Sequence, residues 1–153
     1  MAKDALSLIQ EDHDKMRGLL EKLSKTTDRA EKTRLDLLQQ IEKELKVHTA
    51  IEEEIFYPRF RDADGKEHVT LYHEAVEEHR AVEEFVMPDL KQTDPQTPEF
   101  SGRCKVIKDL VEHHMQEEEE EMFELAREAL SEEELLELGK QMAERKKELM
   151  SQM

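Results

Sequence analysis

Tryptophan is absent from this chain, and cysteine occurs once, at Cys104. A lone cysteine excludes an internal disulfide, and a reducing cytoplasm is the compartment it fits. Cys104 also has no basic neighbour on its face and no paired motif, so it reads as a structural thiol. Glycine and proline number only four each, which disfavours a turn-rich sheet protein. No apolar stretch approaches the roughly 20 residues of a membrane span. The opening MAKDALSLIQED meets acidic residues before any long apolar run, so no signal peptide is expected. No P-loop, nucleophile elbow or dinucleotide fingerprint is present. Positive charge is in short supply as well: 23 Lys and Arg face 39 Asp and Glu, for a net charge of -16. Such a chain repels nucleic-acid phosphates and anionic membranes and attracts cations.

What remains is helical material. The chain has 153 residues, 41% charged and 37% hydrophobic, and is rich in Glu, Leu, Lys, Ala and Met. Apolar spacing and breakers predict five helices. The first runs from about Asp4 to Leu23, with the stripe Leu6, Ile9, His13, Met16, Leu20, Leu23. The second runs from about Ala30 to Tyr57, with Leu38, Ile41, Leu45, His48, Glu52, Ile55 in register and Pro58 near its end. A turn centred on Gly65 in RDADGKEH follows; its acids lack the spacing of a calcium loop. The third runs from about Glu67 to Met87, with Tyr72, Ala75, His79, Val82, Val86 in register, and Pro88 closes it. A linker with Pro95 and Pro98 leads to the fourth, about Phe100 to Ala129, with Ile107, Val111, His114, Glu118, Met122, Leu125. Ser131 and Glu134 form a capping box for a short fifth helix, Ser131 to Gln152. The expectation is an all-α, up-down-up-down antiparallel four-helix bundle over residues 1–130, with a C-terminal helix, 131–153, packed on it.

Each of the four core-facing stripes carries a histidine: His13, His48, His79 and His114. Two carry a glutamate one turn later, Glu52 and Glu118. Residues four apart lie only about 40° apart around a helix, so His48/Glu52 and His114/Glu118 point inward together. Burying four imidazoles and two carboxylates is costly, because all of them accept hydrogen bonds unless protonated. A cation resolves the conflict, and this donor set suits first-row transition metals, iron before manganese or zinc. Glutamate is so common here that the His–Glu spacing alone means little; His73, His79 and His113 have the same partner spacing. The location of four histidines on four stripes carries the argument. His68, His73 and His113 fall off those stripes and read as surface residues, with His73 an open ligand question. Glu53, Glu117, Glu119, Glu120 and Glu121 read as a solvated face, from which Glu53 or Glu83 could turn inward.

The segments EDHDKMRGLL, HTAIEEEIFYP, EEHRAVEEF and EHHMQEEEEEMF together resemble the hemerythrin-like, HHE cation-binding domain over residues 4 to about 129. The resemblance implies that His13, His48, His79 and His114 bind iron and that Glu52 and Glu118 bridge. The implied cofactor is a pair of non-heme iron ions in an oxo- or hydroxo-bridged di-iron centre. Oxygen-carrying members have a further histidine one turn before the helix-three ligand; here that position is Ala75. Their helix-four bridge is aspartate, where this chain has Glu118. A ferritin-like site would need Glu three residues before a histidine, and no histidine here has one.

The expected function is binding of dioxygen or a related small ligand, peroxide or nitric oxide, for sensing, storage or detoxification. Apolar walls are expected from Ile9, Met16, Ile51 and Phe56. The alternatives are a catalase-like or nitric-oxide-handling enzyme and an iron-responsive regulatory module. No nucleic acid or membrane partner is expected, and the chain is expected to be a cytoplasmic monomer or weak homodimer.

Overall fold

Asp4 starts α1 (Ala5–Ser24) by accepting a hydrogen bond from the Ser7 amide at 2.8 Å. Thr97 does the same for the Phe100 amide at the start of α6 (Pro98–Glu117), where Pro98 supplies a preset first turn. Ser131 and Glu134 exchange backbone and side-chain bonds at the start of α8 (Glu132–Ser151), the expected capping box. These assignments come from a computed structural model describing residues 3–63 and 65–153. Met1, Ala2 and Asp64 lie outside the described residues, and with them part of the N-terminal segment and of the Asp62–Gly65 turn. Among the described residues every regular element is helical. None is long and apolar enough to cross a membrane.

Three of the long helices are interrupted by a wider turn. α2 (Glu31–Ile51) passes through a π turn, Glu52–Phe56, into α3 (Tyr57–Ala63). α4 (Lys66–Ala81) passes through Val82–Val86 into α5 (Met87–Lys91). α6 passes through Glu118–Met122 into α7 (Phe123–Ala129). The second and third helices therefore run beyond Pro58 and Pro88, where the sequence reading ends them. Each proline sits two residues after a π turn. There the pairing has already shifted to i→i−5, with Tyr57 N–H on Glu52 O and Met87 N–H on Val82 O. The carbonyls left without a donor fall in a stretch already rearranged, and the helix continues.

The extra residue also slips the buried face by one position. The expected stripes place Ile55, Val86 and Leu125 inward; the fully buried residues are Phe56, Met87 and Ala126. Tyr57, next to Phe56, and Phe123, one turn before Ala126, are buried as well.

The apolar core forms two clusters with the histidines between them. One contains Ala5, Ile9, Ile51, Phe56, Phe60, Met122 and Phe123; the other Met16, Leu20, Leu38, Ile41, Leu90, Phe100 and Ile107. Each large aliphatic or aromatic side chain among them contributes roughly 1.5–3 kcal/mol when fully buried. α1 runs from the first cluster to the second, α2 from the second to the first, and the next two long helices repeat the alternation. α8 packs against α1, α2 and the π turn at Glu52. It buries Leu135, Leu138 and Met142. At Gly139 a methyl group would overlap the Lys3 and Asp4 backbone, so α8 meets the start of α1 at closest range.

Candidate metal centre

His13 stands on α1, His48 on α2, His79 on α4 and His114 on α6, with all four rings largely buried. Glu52 and Glu118 open two of the π turns and are 0% and 2% exposed. The structure brings these six side chains together. Single ligand atoms of His13, His48, Glu52 and Glu118 lie within 4.8 Å of one another, and so do those of Glu52, His79 and His114. Each carboxylate meets a histidine from both halves. Glu52 Oε1 is 3.2 Å from His48 Nε2 and 3.2 Å from His79 Nε2. Glu118 Oε1 is 3.4 Å from His13 Nε2 and 3.0 Å from His114 Nε2.

The opposite ring nitrogen of each of these four histidines is engaged by an acid. Nδ1 of His13 meets Glu119 at 2.7 Å, and Nδ1 of His48 meets Asp12 at 3.0 Å. Nδ1 of His79 meets Glu53 at 2.7 Å, and Nδ1 of His114 meets Glu78 at 2.8 Å. Donation from Nδ1–H fixes the tautomer and turns each Nε2 lone pair toward the centre, the arrangement a metal-binding imidazole needs. Among the described residues, four buried atoms are left without a hydrogen-bond partner: His13 Nε2, His48 Nε2, Glu52 Oε2 and Glu118 Oε1. Nitrogen and carboxylate oxygen with no donor available are the donor set of a transition-metal site, so the residues fit a bound cation.

Tyr57 is the site residue the sequence reading missed. Its hydroxyl donates to Glu118 Oε2 at 3.0 Å and also lies 3.3 Å from Glu52 Oε1 and from His79 Nε2. The π turn brings it inward, so the helical spacing gave no sign of it. Burial, then the Glu118 and Glu52 charges, push the phenol well above its ordinary value and keep it a donor.

Without a cation between them, the carboxylates favour a proton on three of the four rings. Burial opposes a proton on His48, but Glu52 and Asp12 outweigh it and push the ring up to about 10. His79 and His114 are also raised, against the same burial cost, mainly by Glu52 and Glu118 respectively. Burial likewise opposes charge on Glu118, Asp12 and Glu78, yet their histidine partners hold all three low.

Other residues fall differently from the sequence reading. His68 is buried within α4, its Nδ1 donating to Phe60 O at 2.8 Å while the ring stacks on Phe60. It is not a surface residue, because α4 folds back beside α3 and sets the ring against Phe60. Glu119 is no solvated bystander; it holds His13. Glu53 lies outside the inner groups and holds His79. Glu83 stands at the rim of a cavity of about 40 Å³. His73 is exposed, and His113 lies outward beside Glu78 and Glu117. The cavity is lined by all four histidines, by the carboxylates Asp12, Glu44, Glu78 and Glu83, and by Met16, Leu45, Val82, Val111 and Met115. Of the expected walls only Met16 takes part; Ile9, Ile51 and Phe56 belong to the apolar cluster containing Tyr57. Cys104 is buried, which pushes its thiol up to about 11.

The family description "Hemerythrin HHE cation binding domain" matches residues 4–126. The chain belongs to that family. Its fold is similar to the crystal structure of a hemerythrin HHE cation-binding domain-containing protein from Mycobacterium kansasii. The TM-score is 0.85 at 28% identity, over 98% of this chain and 89% of that one. It is also 34% identical over 127 residues to a protein of Nostoc sp. (strain PCC 7120) named a DNA nickase. That match covers 82% of this chain but 34% of the relative's length.

Proposed function

We propose that this chain is a non-heme di-iron protein whose carboxylate-bridged iron pair binds dioxygen, peroxide or nitric oxide, for sensing, storage or detoxification. The observation that carries the reading is the convergence of four imidazole Nε2 atoms on two shared carboxylates, with every Nδ1 held from outside. His13 and His48 would hold one iron, His79 and His114 the other, and Glu52 and Glu118 would bridge. Bound iron would supply a redox-active pair with positions free for a small ligand.

The rest is done by the chain. Glu119, Asp12, Glu53 and Glu78 orient the histidines. Tyr57 donates to Glu118 and keeps a protonated group beside the bridges. The cavity on the histidine side has room for a few water-sized molecules, and its apolar walls of Met16, Leu45, Val82 and Val111, with the carboxylates Asp12, Glu44, Glu78 and Glu83 beside them, favour a small neutral ligand over an anion.

The alternating course of the helices through the two apolar clusters supports an up-down-up-down antiparallel bundle over residues 1–130, with 131–153 as a helix laid on it. We place the protein in the cytoplasm as a monomer or weak homodimer. Nicking of DNA belongs to a relative of which this chain spans about a third; the net charge of -16 opposes a nucleic-acid partner here.

Optical spectroscopy tests the reading. Anaerobic reduction followed by air gives a reversible visible band if dioxygen is bound. Rapid oxygen evolution from added peroxide would favour the catalase-like enzyme. Large loss of helix on chelation would favour the iron-responsive module. A colourless chain after iron loading contradicts all three.

A further inference from the structure

Residues 132–151 lie beyond the segment matched by the family, 4–126, yet they reach the site. Lys146 of α8 forms an ion pair with Oδ1 of Asp12, while Oδ2 of the same carboxylate meets Nδ1 of His48 at 3.0 Å. Asp12 is 8% exposed in this position. The four outer carboxylates are not equally secured. Glu119 is pinned by Arg17 at 2.8 Å. Glu53 and Glu78 meet no lysine or arginine within ion-pair distance among the described residues.

We propose that Lys146 is a positioning residue of the metal centre: it fixes Asp12, which fixes the ring of His48, so that α8 sets how firmly the metal on the His13/His48 side is held. This inference rests on the metal reading above. A carboxylate bonded through one oxygen is free to rotate toward water. A cation on the second oxygen removes that freedom and keeps the anion facing the imidazole. The lysine can act this way because its helix is firmly seated. Leu135, Leu138 and Met142 are buried and Gly139 abuts the start of α1, whereas the exposed Arg145–Glu54 pair, at 2.9 and 3.2 Å, adds little to that seating.

The test uses the full chain loaded with cobalt(II), whose visible absorption reports ligand geometry. Lys146→Met is expected to speed release of one class of cobalt to a chelator by about tenfold, the scale of a lost outer partner. It should alter the cobalt spectrum and leave helix content unchanged. Lys146→Arg restores both properties. Arg145→Met, which cuts the neighbouring tie to Glu54, keeps the wild-type release rate. Asp12→Asn reproduces the effect of Lys146→Met, and the double variant is no faster than Asp12→Asn alone. Wild-type release and spectrum in Lys146→Met overturn the inference. So does equal acceleration by Arg145→Met, which would mean a loosened helix rather than a lost contact. A wild-type chain that takes up no cobalt overturns the metal reading itself; one that loads normally while Lys146→Met matches it overturns only the role of Lys146.

Discussion

His79 and His114 face each other with their Nε2 atoms 3.0 Å apart, while Glu53 and Glu78 hold the opposite ring nitrogens at 2.7 and 2.8 Å. With both Nδ1–H groups donated outward, two lone pairs meet unless a proton or a metal ion lies between them. Replacing His114 by alanine removes one proposed ligand and frees Glu78 and Glu118. His114→Ala is expected to lower bound iron and the melting temperature of the iron-loaded chain together, as elemental analysis and a thermal melt will show. His73→Ala, on the exposed face, leaves both unchanged. Loss of iron in that variant would mean the ligand set on the third helix is misassigned.

Tyr57 gives a second prediction. Its hydroxyl is buried against Glu118 and Glu52. Tyr57→Phe keeps the ring, with its stacking on His79, but strips a donor from a buried carboxylate. That loss is worth about 1–3 kcal/mol, measurable by denaturant unfolding of the metal-free chain. The iron-loaded variant is expected to show a shifted visible spectrum, because Glu118 is then free to change its electron donation. An unchanged spectrum would remove Tyr57 from the site.

Stability of the metal-free chain depends on pH in a defined sense. The His48 ring is pushed up to about 10, and His79 and His114 are also raised. Groups raised above an unfolded value of about 6.5 stabilise fully below that pH and lose their contribution as pH climbs through the folded value. Asp12, Glu78 and Glu118 are held low, so their contribution is present above about pH 4 and lost on acidification. The melting temperature of the chelated protein should therefore peak in weakly acidic solution and fall on the alkaline side toward pH 10. His48→Gln should flatten that alkaline decline; an equally steep decline in the variant would contradict the assignment.

At the far end of the molecule, Arg34 is 1% exposed and has no acidic partner among the described residues. Its guanidinium donates to Thr26 O and Oγ1, Pro95 O and Ser101 Oγ, and lies over the Phe100 ring. It therefore fastens two connecting segments to the helix below them. Arg34→Met leaves those acceptors buried without donors and is expected to cost ~3 kcal/mol. Iron content should stay the same, because the change lies far along the bundle from the histidines.

The inner histidines were legible because a helical period places them among apolar residues, and Glu52 and Glu118 followed one turn later. Their supporting acids were not legible from any one helix, because each reaches across to a histidine on another. A local signal exists all the same. Asp12 precedes His13, Glu78 precedes His79, Glu53 follows Glu52 and Glu119 follows Glu118. A residue one step from a core position sits about 100° around the helix, at the seam with its neighbour. Tyr57 and the passage through Pro58 and Pro88 escaped for another reason. A π turn slips the buried face by one residue, which a strict 3.6-residue period cannot register.

The most direct test is the number of ferrous ions the full, metal-free chain takes up tightly without oxygen. Two per chain, with proton release and with loss of tight uptake when Glu52 and Glu118 are both changed to alanine, is the predicted result. Uptake that is weak, or indifferent to that double change, would place the iron on the acidic surface and contradict the account.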